Sequence, residues 1–216
     1  MDTADLIHSL ATNVAPVRRL RPPLVRASLW LLLAAVIMGL MTLSHGLRPQ
    51  FAERMQDATF ATGMLASLLT GVLATIAAFM LSLPDRSRLW LLLPAPPLAV
   101  WLANIGYQCF AGWVSLPPGA VTVQAASSCL ATLVLTSLPL SLAMLVMLRH
   151  AALLHPVPVI MVGSLAVSAI TSTALSMFHP LDATVMVLGW NLGTAALFTG
   201  LAALFGRRFQ RLGPSH

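Results

Sequence analysis

Six stretches of this chain, at residues 27–46, 58–83, 89–111, 124–148, 157–178 and 183–205, run for 20 residues or more without an Asp, Glu or Arg. A helix needs about 20 apolar residues to cross the hydrocarbon core of a bilayer. It is also one of the few structures that satisfies its own backbone polar groups there. The pattern predicts an all-α polytopic membrane protein with six transmembrane helices. Composition agrees: of 216 residues, 58% are hydrophobic and 8% charged, against about 25% charged in soluble domains. A water-soluble globular enzyme is excluded. The first run exceeds the usual apolar region of a signal peptide, about 7 to 15 residues, and no small-x-small cleavage site follows it. It is expected to stay in the mature protein.

The basic residues, all twelve of them Arg, are spaced so as to report topology. Arg18, Arg19, Arg21 and Arg26 precede the first run, Arg86 and Arg88 follow the second, Arg149 follows the fourth, and Arg207, Arg208 and Arg211 follow the sixth. Only Arg48 and Arg54 fall in the alternate position, partly offset by Glu53 and Asp57. Basic residues in short loops favour the cytoplasmic side, so both termini are expected to be cytoplasmic. The implied organisation is a cytoplasmic amphipathic helix and Arg/Pro-rich segment over 1–26, a six-helix transmembrane domain over 27–205 and a basic cytoplasmic tail over 206–216. Because the arginines are scattered between apolar runs rather than gathered in one patch, no direct nucleic-acid contact is expected.

Within the runs, Trp30 and Trp90 at inner ends and Trp113 at an outer end suit the membrane interface, where indole rings concentrate. Trp101 and Trp190 lie deeper and read as packing residues. Small residues recur one helical turn apart as Gly63, Ser67 and Gly71, as Ser164, Ser168 and Ser172, and as Gly189 and Gly193. Such spacing lets helices approach closely, either inside the bundle or against a second copy in a homo-oligomer. Pro94, Pro96 and Pro97 should bend the third run by removing backbone donors. Asn104, Gln108 and Asn191 suit interhelical hydrogen bonds. No run carries an ionisable residue near its centre, which disfavours an ion-coupled monomeric transporter. There is no Gly-rich phosphate loop, no His-Glu-x-x-His and no nucleophile–base pair. Neither catalysis nor a cofactor is expected.

Candidate chemistry is left to the two membrane faces. On the outer side, Cys109 near the end of the third run and Cys129 near the start of the fourth can be brought together by a hairpin. Disulfides persist in an oxidising compartment, and paired thiolates bind soft metals; two small unpaired buried residues are the plain alternative. His45, His179 and Asp182 belong to the same face. A bend capped by Asp182 ahead of the last run competes with a metal- or proton-sensing role. On the inner side, Leu6, Ile7, Leu10 and Val14 share one helical face, with Asp2 and Asp5 near the helix N-terminus where negative charge is favourable. So short a helix is marginal in water, and it needs lipid headgroups or the groove of a cytosolic partner to lie on.

The segment Ala15-Pro16-Val17-Arg18-Arg19-Leu20-Arg21-Pro22-Pro23, with a short helix before it and six runs after it, resembles the NrsF family. The likeness continues in Leu83-Pro84-Asp85-Arg86-Ser87-Arg88, in Cys129-Leu130-Ala131-Thr132 running on to Thr136-Ser137-Leu138-Pro139, and in Phe178-His179-Pro180-Leu181-Asp182-Ala183. These are bacterial inner-membrane anti-sigma factors, negative regulators of an extracytoplasmic-function sigma factor. The resemblance implies that the cytosolic face holds such a sigma factor until an envelope signal, linked in this family to oxidative or heavy-metal stress, releases it. Leu6, Ile7, Leu10 and Val14 would then fill an apolar groove on the sigma factor, and Arg18, Arg19 and Arg21 would meet its acidic residues or anchor at lipid. Cys129 stands at a family cysteine position, while Met177 stands where some members carry a second one, so a sensing pair would need Cys109. A small transporter or channel lined by Ser, Thr, Asn and Gln, or a structural subunit of a larger membrane complex, is the competing reading from the residues.

Overall fold

A computed structural model describes residues 3, 5, 8, 12, 21–48, 50–83, 85–113, 123–148, 156–178 and 193, with backbone alone at 108–113 and at most of 123–132. Every regular element among them is helical, and they contain no strand. The elements are α1 (Pro23–His45), the single turn α2 (Phe51–Arg54), α3 (Ala58–Leu81), a 3₁₀ turn (Arg88–Leu92), α4 (Ala95–Trp113), α5 (Val123–Leu148) and α6 (Pro156–Phe178). Five of the six uncharged runs are thus helical; the sixth, 183–205, lies almost wholly outside the described residues. Among the described residues, four stretches are long and apolar enough to cross a membrane: Pro23–Ser44, Ala58–Leu81, Arg88–Tyr107 and Val157–Phe178. Leu133–Leu148 is a shorter apolar helical stretch.

Helix boundaries follow from local chemistry. Pro22 and Pro23 open α1, where the first amides lack acceptors in any case, and Gly46 closes it at φ 74° with its N–H on the Thr42 carbonyl. Asp57 opens α3 by accepting from the Thr59 N–H at 2.9 Å. The proline cluster does more than bend the third run. It splits the run into the Arg88–Leu92 3₁₀ turn and α4, because Pro96 and Pro97 fit only the first turn of a new helix, whose hydrogen bonding begins with Leu98 N–H on the Pro94 carbonyl.

Successive long helices reverse direction. Arg26 at the start of α1 lies over Phe79 at the end of α3, and Arg48, just past α1, lies over Phe60 at the start of α3. Ser67 meets Thr173 while Gly71 meets Ile170, so α3 and α6 are antiparallel. Asn104, late in α4, reaches Thr59, early in α3. Arg26 and Trp30 reach Met147 and Leu140 in that order, which makes α5 antiparallel to α1. Arg21, Arg26, Arg86 and Arg88 consequently share one end of the bundle, and Arg48 and Arg54 the other.

The most extensive packing is between α3 and α6. Small residues and hydroxyls allow it: Ser67 meets Thr173 and Gly71 meets Ile170, and Ala74, Ala77 and Ala78 of α3 and Ala166 of α6 are fully buried in the core. A Cβ on Gly71 would come within 2.7 Å of Ile170, and one on Gly63 within 2.8 Å of the Asn104 amide oxygen. The Gly63, Ser67, Gly71 stripe is therefore a helix-packing surface within the bundle. Ser168 and Ser172 of the second stripe are buried too, whereas Gly193 of the third is exposed. α4 leans on α3 through Trp101, which is 2% exposed, and presents Val100, Leu102 and Tyr107 outward.

Candidate functional site

The arginine-rich end of the bundle is the best-defined candidate surface. Arg21 is exposed immediately before α1. The loop after α3 exposes Asp85, Arg86, Ser87 and Arg88, with the Ser87 hydroxyl accepting from the Leu89 N–H to start the 3₁₀ turn and the Ser82 hydroxyl donating to the Phe79 carbonyl. Three exposed guanidinium groups beside one carboxylate make this a basic face, suited to acidic protein side chains or anionic headgroups.

Arg26 behaves differently from its neighbours. It is 6% exposed. Its guanidinium donates to the carbonyl of Met147 in the last turn of α5 and stacks 5.1 Å from the Phe79 ring centre. Carbonyls in a last turn lack intrahelical donors, and a cation there also meets the negative end of the helix dipole. One turn further along α1, the fully buried Trp30 donates its indole N–H to the Leu140 carbonyl at 3.1 Å. The assignment of Trp30 to the membrane interface is therefore corrected: its ring sits in the core among α1, α3, α5 and α6, where its N–H has a carbonyl to bond. Trp101 is the packing residue expected of it, and Trp90 is half-buried.

At the opposite end, Arg48 is 7% exposed, with its guanidinium 5.5 Å from the Phe60 ring centre and its backbone N–H on the Met177 carbonyl at 3.0 Å. Phe51 meets Phe60 edge to face, centres 6.3 Å apart. This arginine pins the segment after α1 to the end of α6. Counting Arg26 and Arg48 as loop charges missed both roles. A signal was available for the first: Arg26, Trp30 and Ala34 repeat every fourth residue, with Ala27 beside them, so a cation and an indole share the narrow, core-directed face of α1.

Of the sequence-derived site residues, Arg21 is placed, exposed at the basic end. Leu6, Ile7, Leu10, Val14, Arg18 and Arg19 lie outside the described residues, although Thr3, Asp5, His8 and Thr12 between them are helical and exposed, with the Thr12 hydroxyl donating to the His8 carbonyl. Cys109 is in the helical backbone of α4 and Cys129 in that of α5, their side chains outside the description; His179 and Asp182 lie outside it entirely. Among the described residues no group of three or more His, Cys, Asp or Glu is arranged to hold a metal. Asn104 makes the interhelical bond expected of it, its amide donating to the Thr59 carbonyl at 2.9 Å.

Apolar antiparallel helices of spanning length, a hydroxyl-rich interior and an end that carries Arg21, Arg26, Arg86 and Arg88 mark a helical protein of membrane type. A family model described as NrsF, negative regulator of sigma F, matches residues 10–212, nearly the whole chain, and the protein belongs to that family. No curated protein and no solved structure matches it. The family consists of regulators rather than enzymes, and its name implies a sigma factor as partner.

Proposed function

We propose that this protein is a membrane-bound anti-sigma factor that holds an extracytoplasmic-function sigma factor at the bacterial inner membrane and releases it on an envelope signal such as oxidative or heavy-metal stress. The observation that carries this reading is the family match over residues 10–212. An anti-sigma factor needs a docking surface and no catalytic group. The polar stretches on the arginine-rich side of this sequence are residues 1–26, two short loops and the tail 206–216. Leu6, Ile7, Leu10 and Val14 fill an apolar groove on the sigma factor, while Arg18, Arg19 and Arg21 pair with its acidic residues. The bundle crosses the membrane six times with both termini in the cytoplasm. Cys129, with Cys109, His179 and Asp182, receives the signal on the outer face.

Deletion of residues 1–20 tests the docking assignment: the shortened protein should still enter the membrane but no longer retain the sigma factor in a pull-down. Retention at the full-length level would refute it. Reporter fusions at either end test the topology separately, and a terminus found in the periplasm would overturn the orientation.

A further inference from the structure

Two side chains of α1, Arg26 and Trp30, reach across to backbone carbonyls of the same partner helix, those of Met147 and Leu140 in α5. Topology marking does not explain this. An exposed arginine such as Arg21 marks the inner side equally well, whereas burying a guanidinium is costly unless it gains compensating contacts. Here those contacts are the carbonyl end of α5 and the Phe79 ring. Only Pro22, Pro23, Leu24 and Val25 separate Arg26 from Arg21. Proline fixes its own φ, so the connection from α1's first turn back to Arg21 has little slack. On the partner side, Pro139 directly precedes Leu140 inside α5 and removes the amide that would bond the Leu135 carbonyl. α5 therefore bends most easily beside the Trp30 contact.

We propose that Arg26 and Trp30 form a latch that positions the docking segment, by fixing the start of α1 to the half of α5 beyond Pro139. The inference rests on the reading of the N-terminal residues as the docking segment. The latch sits where a change in α5, the helix that carries Cys129, is transmitted to that segment.

The test uses the full chain in detergent micelles, where trypsin reaches both ends, with two readouts: the rate of cleavage after Arg18 and Arg19, the Arg21-Pro22 bond being resistant, and capture of the purified sigma factor. Arg26→Met should accelerate cleavage about tenfold and weaken capture by a similar factor, the shift that ~1.4 kcal/mol produces. Trp30→Phe keeps a ring and removes the N–H; it should change both about threefold, in line with loss of one neutral hydrogen bond. It also serves if Arg26→Met fails to accumulate. A purely structural role would lower the melting temperature and leave both readouts alone. Parent-like cleavage or parent-like capture in both variants overturns the proposal. If capture survives deletion of residues 1–20, it is the docking reading that fails, and cleavage alone decides whether the latch holds.

Discussion

Gly71 and Ile170 meet so closely that a Cβ added at Gly71 would lie 2.7 Å from the Ile170 Cδ1 carbon and 3.2 Å from its backbone nitrogen. The side-chain tip can turn away, but the backbone cannot, so α3 and α6 would have to separate. Overpacking of this kind costs about 1–3 kcal/mol, and the better helix propensity of alanine returns at most ~1 kcal/mol. Gly71→Ala should lower the melting temperature in detergent. Gly39→Ala should leave it unchanged or raise it, since nothing lies within 4 Å of that position. An equal fall in both variants would show that the α3–α6 contact is not the reason.

The Ser67 and Thr173 hydroxyls lie 2.9 Å apart, and each also faces a backbone carbonyl one turn back, Met64 for Ser67 and Ala169 for Thr173. Two protons thus serve three contacts. Ser67→Ala and Thr173→Val, combined in a double-mutant cycle, should show a coupling of about 0.6 kcal/mol, the average for interhelical bonds in lipid. Additive losses would mean that the two hydroxyls bond only within their own helices.

Asn104 fills the notch left by Gly63 and donates to the Thr59 carbonyl. Asn104→Leu should destabilise the α3–α4 contact by about 1–2 kcal/mol, the range for interhelical hydrogen bonds in model membrane peptides. Asn104→Asp should be worse, because a carboxylate would face a carbonyl with no proton to give. Unfolding of the purified variants in detergent ranks the two; the reverse order would mean that shape rather than the donor matters.

For signal reception, the double variant Cys109→Ser, Cys129→Ser should enter the membrane normally and keep the sigma-dependent reporter silent when cells are challenged with a thiol oxidant or a soft divalent metal. A disulfide or a bound metal would supply the few kcal/mol of differential stabilisation that a useful population shift requires. Induction at the parent level would remove the cysteines from the mechanism while leaving sigma-factor docking untouched.

The positions of the helices were legible in the sequence because excluding charge from hydrocarbon is a one-dimensional constraint, visible as uncharged runs. Runs at 58–83 and 157–178 became Ala58–Leu81 and Pro156–Phe178 with shifts of two residues or fewer. The Gly63, Ser67, Gly71 stripe and Asn104 were legible for a related reason: small and amide side chains inside an apolar run have few uses other than close packing and interhelical bonds. The prolines announced a disturbance of the third run, but whether it would bend or break depended on which of them could occupy the first turn of a new helix.

Among the described residues, sequence alone determined where the apolar helices lie and, once alternation is assumed, which arginines share an end. It did not determine which arginines are buried or what Trp30 does. Those outcomes depend on Phe79, Leu140 and Met147, which are distant in the chain and arrive beside α1 only when helices α3 and α5 pack against it. A carbonyl acceptor or an aromatic face carries no signature in the residues next to the donor, so tertiary structure decided between a marker at the membrane edge and a cation locked into the bundle.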